Sequence, residues 1–91
     1  MKITIQSIKF DATEKLTEYT EKKIGKLERF IEAESAEVVF KVTKPQTANN
    51  KEVTLKIGRL HAEKVADTFE EAIDGVVDAI KTQIEKKKNK V

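Results

Sequence analysis

The 91-residue sequence contains no cysteine and no tryptophan, one proline and one histidine, and aromatic residues make up only 5% of it. Without cysteine, a disulfide framework and a thiolate metal site are excluded. No apolar run exceeds four residues, whereas a membrane-spanning helix needs roughly 20. The amino terminus alternates polar and apolar residues instead of forming an export signal. The sequence therefore predicts a cytoplasmic protein with no membrane partner, folded as a single domain over residues 1–91.

Side chains that carry catalysis are also scarce. His61 is the only histidine, and Ser7 and Ser35 stand in no nucleophile motif, so the sequence offers no catalytic triad. The three glycines are isolated and form no phosphate-binding loop, and the acids match no metal-ligand spacing. We therefore expect no catalytic residue, metal, cofactor or small-molecule substrate, and we expect His61 to point to solvent or to cap the sheet.

Hydrophobic periodicity divides the chain into six elements. Alternation with a period of two predicts four strands, at residues 2–6, 36–43, 52–57 and 60–66. Apolar residues at helical spacing predict helices over residues 12–33 and 69–87. Asp11 and Thr68 precede them as caps, and Gly58-Arg59 favours a tight turn. This order predicts an α+β fold, βαβββα, with a four-stranded, mostly antiparallel sheet and both helices packed on one face.

The first predicted helix sorts its side chains into separate stripes. The stripe expected to face the core is apolar and consists of Leu16, Thr20, Ile24, Leu27 and Ile31. A second stripe is basic and consists of Lys15, Lys22, Lys26 and Arg29, with Lys23 beside it. A third is acidic. Gly25, in mid-helix, costs about 1 kcal/mol relative to alanine; a close approach by backbone or RNA would account for it, and so would drift.

A second basic stretch follows a segment of opposite charge. Residues 67–80 carry five acids and no base. Residues 81–91 carry one glutamate and five lysines, at Lys81, Lys86, Lys87, Lys88 and Lys90. Pairing with nearby glutamates on the first helix, and compensation of the helix dipole on the second, would explain both stretches as ordinary solvated surface. Alternatively, with both helices on one face, the two stretches border a groove that suits a polyphosphate backbone.

The composition also indicates how the chain would recognise a nucleic acid. Of the 18 basic residues 16 are lysine, which favours phosphate contacts over bidentate reading of bases. Most aromatic residues fall on expected core lines, namely Phe10, Phe30, Phe40 and Phe69. Base stacking on an open sheet is therefore not expected. If the chain binds nucleic acid, it should recognise the shape and charge of folded RNA.

Several segments resemble the short hibernation-promoting factors of bacterial ribosomes, also called the sigma-54 modulation protein family. They cover nearly the whole chain: KLERF at residues 26–30, VVFKV at 38–42, LHA at 60–62 and AID at 72–74, continuing through Asp78, Gln83, Lys86, Lys88 and Lys90. The resemblance implies the same βαβββα fold, akin to double-stranded RNA-binding domains. It implies a protein that binds the small ribosomal subunit and its ribosomal RNA in the decoding region. We expect the free protein to be a monomer. Translation would be blocked in slow growth because the messenger and transfer RNA sites are occupied.

The resemblance also implies which residues contact RNA. They are the basic residues of both helices: Lys22, Lys23, Lys26, Arg29, Lys86, Lys88 and Lys90, to which the charge pattern adds Lys81 and Lys87. Family members commonly carry bases where this chain has Ala79 and Thr82, so two phosphate contacts fewer are expected. Because the sequence stops at Val91, we expect no additional dimerisation domain.

Two other classes of function are distinguished from this one. A protein-interaction module that modulates a transcription or stress factor would use an exposed sheet face or edge. A small α/β enzyme would need the nucleophile or metal constellation that the sequence lacks.

Overall fold

The computed structural model describes residues 2–8, 13–31, 33–42 and 50–89, except the side chains of Glu28 and of residues 86–89. The described residues form four strands and two α-helices: β1 Lys2–Ile8, α1 Glu14–Gly25, β2 Ser35–Val42, β3 Lys51–Ile57, β4 Leu60–Ala66 and α2 Phe69–Asn89. A 3-10 turn, Lys26–Arg29, continues α1 directly. The predicted order βαβββα is confirmed.

The four strands form one sheet in the order β1-β2-β3-β4. β1 and β2 are parallel, whereas β2 with β3 and β3 with β4 are antiparallel. A parallel pair needs a crossover connection, and α1 supplies it. Gly58 adopts φ +60° in the turn between β3 and β4, a conformation that glycine reaches without a steric penalty. The predicted mostly antiparallel sheet and its tight turn are both confirmed.

The core lies between one face of the sheet and the two helices. Alternate strand residues such as Val38, Leu55 and Ala62, which are register partners across three strands, are buried together with side chains of both helices. The predicted apolar stripe of α1 is confirmed, with Ile31 half-buried and the other four members buried. The Thr20 hydroxyl donates to the Leu16 carbonyl at 2.8 Å, so this buried polar group has a hydrogen-bond partner.

None of the described helices covers the opposite face of the sheet, which is called the open face below. Lys41, Lys56 and His61 are exposed there, on positions that alternate with the buried ones. Lys41 faces Glu52 and Lys56 faces Glu37 across β2 and β3, so opposite charges are paired on this surface. The exposure of His61 agrees with the expectation that it points to solvent.

The first helix differs from its prediction at both ends. Thr13 is the N-cap, and its hydroxyl accepts a hydrogen bond from the Leu16 N–H at 3.1 Å; Asp11 lies outside the described residues. The predicted single helix over residues 12–33 is wrong, because the α-helix ends at Gly25 and tightens into the 3-10 turn. Glycine is a poor helix former, so the helical ladder is weakest at that position.

The second helix follows its prediction closely. The Thr68 hydroxyl accepts from the Glu71 N–H at 3.2 Å, as the capping pattern predicted, and the helix ends at Asn89. Phe69 packs edge-on against the buried Phe40, with ring centroids 5.2 Å apart and planes at 71°. Phe30, by contrast, is 41% exposed, so its predicted place in the core is wrong.

Candidate nucleic-acid interface

Three of the sequence-predicted cations come together on α1 and the 3-10 turn. Lys22, Lys26 and Arg29 are exposed, and their spacing of three or four residues places them on one side of the helix. Together with Gly25 they line an open pocket of about 360 Å³. A Cβ placed on Gly25 would meet nothing within 4 Å. The backbone of Gly25 is therefore accessible from the pocket. Three cations around a bare backbone segment suit an anion of phosphate size.

Lys23 has a different environment, between the two helices. Its ammonium lies 3.5 Å from the Asp74 carboxylate and 5.4 Å from the centre of the Tyr19 ring. The Tyr19 hydroxyl donates to the same carboxylate at 2.8 Å. This hydrogen bond raises the pKa of Tyr19, with smaller contributions from burial and from the negative charges of Asp74 and Glu70. The cluster ties α1 to α2, and Asp74 partly neutralises Lys23.

Lys81 connects the second basic stretch to the first. Its ammonium lies over the Phe30 ring, 5.6 Å from the ring centre, within the range of a cation–π interaction. Phe30 follows Arg29 directly at the end of the 3-10 turn. One basic residue of α2 therefore reaches the end of the α1 stripe, across an exposed aromatic ring.

The remaining predicted RNA-binding residues lie at the carboxyl end of α2. The backbone of Lys86, Lys87 and Lys88 belongs to the helix, but their side chains and the whole of Lys90 lie outside the described residues. The two positions where relatives were expected to carry bases are occupied differently here. Ala79 packs against the core, and Thr82 is exposed.

Sequence reasoning missed Phe30 as a candidate functional residue. Its apolar character led to the prediction of a core position, whereas its immediate neighbour Arg29, a member of the basic stripe, was the available signal for an exposed one. Phe30 ends the 3-10 turn, with φ −112° and ψ −13°, and its ring is exposed. Helical spacing alone does not contain this information.

The open sheet face has a different electrostatic character. Glu52 and Glu63 share a hydrogen bond across β3 and β4 that raises the pKa of Glu52, and burial and the negative charge of Glu63 act in the same direction. Lys41 opposes the shift. Acids and bases alternate on this surface, whereas the pocket beside α1 is lined by cations and a glycine. The helix side is therefore the better surface for a polyanion.

Among the described residues, no group of three or more His, Asp or Glu residues is arranged to hold a metal ion. None of the helices formed by the described residues is long and apolar enough to cross a membrane.

Comparison with curated proteins gives relatives that match over almost their whole length. The ribosome hibernation promoting factor of Escherichia coli (strain K12) is 29% identical over 92 residues, covering 100% of this chain and 97% of that protein. The factor of the same description from Salmonella typhimurium (strain LT2) is also 29% identical, with the same coverage.

Solved structures share the fold. The N-terminal domain of Thermus thermophilus Protein Y superimposes with a TM-score of 0.77 at 24% identity, covering 94% of this chain and 98% of that one. A ribosomal subunit interface protein from Coxiella burnetii gives a TM-score of 0.80 at 23% identity, covering 99% and 100%.

A family assignment follows from the sequence itself. Residues 3–91 match the family described as Sigma 54 modulation protein / S30EA ribosomal protein, which confirms the resemblance stated above. This is a family of ribosome-associated factors and not a family of enzymes. Because the match extends over almost the whole sequence, the chain belongs to the Sigma 54 modulation protein / S30EA ribosomal protein family.

Proposed function

We propose that this chain is a ribosome hibernation factor that binds ribosomal RNA in the decoding region of the small subunit. There it blocks translation during slow growth by occupying the messenger and transfer RNA sites. The observation that carries the proposal is that one cation of the second basic stretch, Lys81, reaches the end of the first basic stretch on the helix side of the molecule. Lys22, Lys26 and Arg29 line one pocket, and Lys81 reaches the adjoining Phe30. The descriptions of the full-length relatives support the same assignment.

The mechanism is occupancy and needs no chemical step. Exposed lysines and arginine neutralise phosphates and release the counterions condensed on RNA, which supplies much of the binding free energy. The Tyr19–Asp74 hydrogen bond and the Lys23–Asp74 ion pair hold α1 against α2, so the cations on both helices keep a fixed spacing. A folded domain held there excludes other ligands by its volume.

The proposed RNA-binding residues are Lys22, Lys23, Lys26, Arg29, Lys81, Lys86, Lys87, Lys88 and Lys90. Lys23 contributes less than the others because Asp74 already neutralises part of its charge. In this proposal residues 1–91 act as a single ribosome-binding domain, in the cytoplasm and as a monomer when free. The function requires no catalytic residue, cofactor, metal or small-molecule substrate.

Competition on purified small subunits tests the proposal. A labelled messenger and initiator transfer RNA are bound first, and the chain is then added in increasing amounts. We expect both RNAs to be displaced as the chain binds, because all three ligands would need the same space. Large subunits at the same salt concentration measure non-specific attraction between a basic protein and RNA. Simultaneous binding of the chain and both RNAs would contradict the proposed site.

The alternative partner surface is the open face of the sheet, which a protein-interaction module would use. Phe30 and Val65 are the well-exposed large apolar side chains among the described residues, and only Val65 lies on a strand. The charged pairs Lys41–Glu52 and Lys56–Glu37 cover much of the remaining face. Such a mixed polar surface offers little apolar area to a protein partner. RNA binding by the helix side is therefore better supported than protein binding by the sheet face. Nuclease treatment before a pull-down separates the two, because an RNA-dependent complex is lost and a protein complex survives.

A further inference from the structure

We propose that Phe30 is a stacking platform for an unpaired RNA base, placed between the two basic stretches of the chain. The inference rests on the proposed function and adds to it a contact of a different kind. Lysines that neutralise phosphates hold the RNA backbone without sensing whether a base is paired. A ring that stacks on a base requires that base to be unstacked from its own neighbours.

The first observation is that the ring is exposed while its backbone is firmly held. Phe30 is 41% exposed, whereas Leu27, one turn earlier, is only 1% exposed and sits in the core. The Phe30 N–H and the Ile31 N–H both donate to the Leu27 carbonyl, at 2.9 and 3.2 Å. An aromatic side chain left in water on a fixed support gains free energy when another flat apolar surface covers it.

The second observation is the set of charges around the ring. Lys81 lies over it with its ammonium 5.6 Å from the ring centre, and Arg29 precedes it in the chain and lines the adjacent pocket. Sites for single-stranded nucleic acid combine an aromatic ring for the base with cations for the phosphates on either side. Lys81 is exposed and has a long, flexible side chain, so its ammonium moves to a phosphate when a base takes its place over the ring.

Val65 is also exposed, but its surroundings differ from those of Phe30. Val65 is even more exposed, at 47%, but its cross-strand partner on β3 is the acid Glu52. Base stacking on the open face of the sheet is still not expected, because Val65, the well-exposed large apolar residue on a described strand, is not aromatic. Phe30 lies on the other side of the fold, beside the pocket-lining Arg29.

A tryptophan reporter tests the stacking directly. The chain has no tryptophan, so Phe30→Trp introduces a single indole whose fluorescence is quenched when a base stacks on it. The probes are a single-stranded adenine oligonucleotide of about eight nucleotides, a fully paired duplex of the same length, and small subunits. We expect quenching by the single strand and by the subunits, but not by the duplex. Val65→Trp is the control and should stay unquenched by all three.

Affinity for the small subunit supplies the second readout. Phe30→Leu keeps an apolar side chain but removes the ring, and we expect it to weaken binding by at least about fivefold. Phe30→Tyr should bind within about twofold of the unaltered chain, because the stacking surface is retained. Thermal unfolding of each variant establishes that the fold is intact.

The outcomes separate the stacking from the function on which it rests. If Phe30→Leu binds as tightly as the unaltered chain, or if saturating single-stranded RNA leaves the indole of the Phe30→Trp variant unquenched, stacking is refuted. If the unaltered chain does not bind small subunits at all, the proposed function is refuted. The stacking is then decided by the single-stranded oligonucleotide alone, with quenching supporting it and unchanged fluorescence overturning it.

Discussion

Gly25 is a residue whose identity the fold does not require. Its backbone is helical, at φ −56° and ψ −30°, and an added Cβ would meet nothing within 4 Å. Gly25→Ala should therefore raise the free energy of unfolding by about 0.5–1 kcal/mol, because alanine loses less backbone entropy on folding. Urea denaturation measures the change.

Gly58→Ala is the matched control for that substitution. At φ +60° an alanine is strained, and we expect a loss of about 1 kcal/mol. If Gly25→Ala also destabilised the protein, the open environment described at Gly25 would be wrong. Of the two explanations suggested by the sequence for Gly25, close approach by another part of the described protein is excluded by the empty space around it.

Tyr19 provides a spectroscopic test of the contact between the helices. It is the only tyrosine, and its hydrogen bond to the Asp74 carboxylate raises its pKa above the ordinary value of 10.0. Absorbance at alkaline pH should give a midpoint above that value, and Asp74→Asn should move the midpoint down towards it, because the neutral amide no longer opposes ionisation. Equal midpoints in both proteins would contradict the contact.

The same shift has a defined consequence for stability. Because the folded pKa of Tyr19 lies above the unfolded one, the stabilising contribution is complete below the unfolded pKa and is lost as pH rises through the folded pKa. Tyr19→Phe should remove this alkaline loss. The hydrogen bond to Asp74 is exposed, so solvent screening keeps the contribution small.

Residue-scale prediction from the sequence succeeded where periodicity governs the outcome. The stripe from Leu16 to Ile31 faces the core because residues three and four apart share a helix face, and burial of apolar area selects that face. Phe30 could not be placed this way, because it lies at the end of a 3-10 turn, where the spacing of an α-helix no longer holds. The ion pair between Lys23 and Asp74 could not be predicted from the sequence either, because Asp74 belongs to the other helix.

At the scale of elements, the residue that caps the start of α1 is Thr13 and not the predicted Asp11. Thr13 accepts the hydrogen bond from the Leu16 N–H, so Thr13→Ala should lower the free energy of unfolding by about 1 kcal/mol. Thr13→Ser keeps the hydroxyl acceptor and serves as the control, with an expected change of a few tenths of a kcal/mol. Thermal denaturation followed by circular dichroism measures both, and an unaffected Thr13→Ala variant would contradict this assignment of the cap.

In the strands, alternation with a period of two predicts which side chains are buried but not the direction in which the strands pair. Alternation puts Val38, Phe40, Val53, Leu55 and Ile57 on the core face, and all five are buried, because a strand with one buried face must alternate. Val42, which alternation also puts on the core face, is only half-buried. It could not specify that β1 pairs with β2 in the parallel direction, because direction depends on the connection and not on the strand. The crossover through α1 settles it. The likeness to double-stranded RNA-binding domains stays a prediction.

At the scale of the whole molecule, the fold brings together basic residues that are far apart in sequence. The β1–α1–β2 crossover places α1 on the sheet face that α2 also covers, so Lys81 reaches Phe30 at the end of the α1 stripe. The sequence predicted a common groove only on the condition that both helices share a face. That condition is met for the described residues, whereas RNA binding by them stays a proposal.

Salt dependence is the corresponding prediction for the intact molecule. If about 6–8 phosphates are neutralised, the logarithm of the association constant should fall with the logarithm of salt concentration at a slope of about −5 to −7. Co-sedimentation with small subunits across a salt series measures the slope. Binding that does not weaken with salt would mean that phosphate contacts are not its source.

Charge reversal at the pocket tests the central claim most directly. The variant Lys22→Glu/Lys26→Glu/Arg29→Glu is compared with Lys2→Glu/Lys41→Glu/Lys56→Glu, which makes the same change in net charge at exposed strand residues. Affinity for small subunits is measured for both at one salt concentration, after circular dichroism has established that each is folded. We expect the affinity of the pocket variant to fall about a hundredfold or more, at roughly 1 kcal/mol or more per lost phosphate contact, and that of the sheet variant to change only a few-fold. Equal losses, or unchanged binding by the pocket variant, would contradict the account.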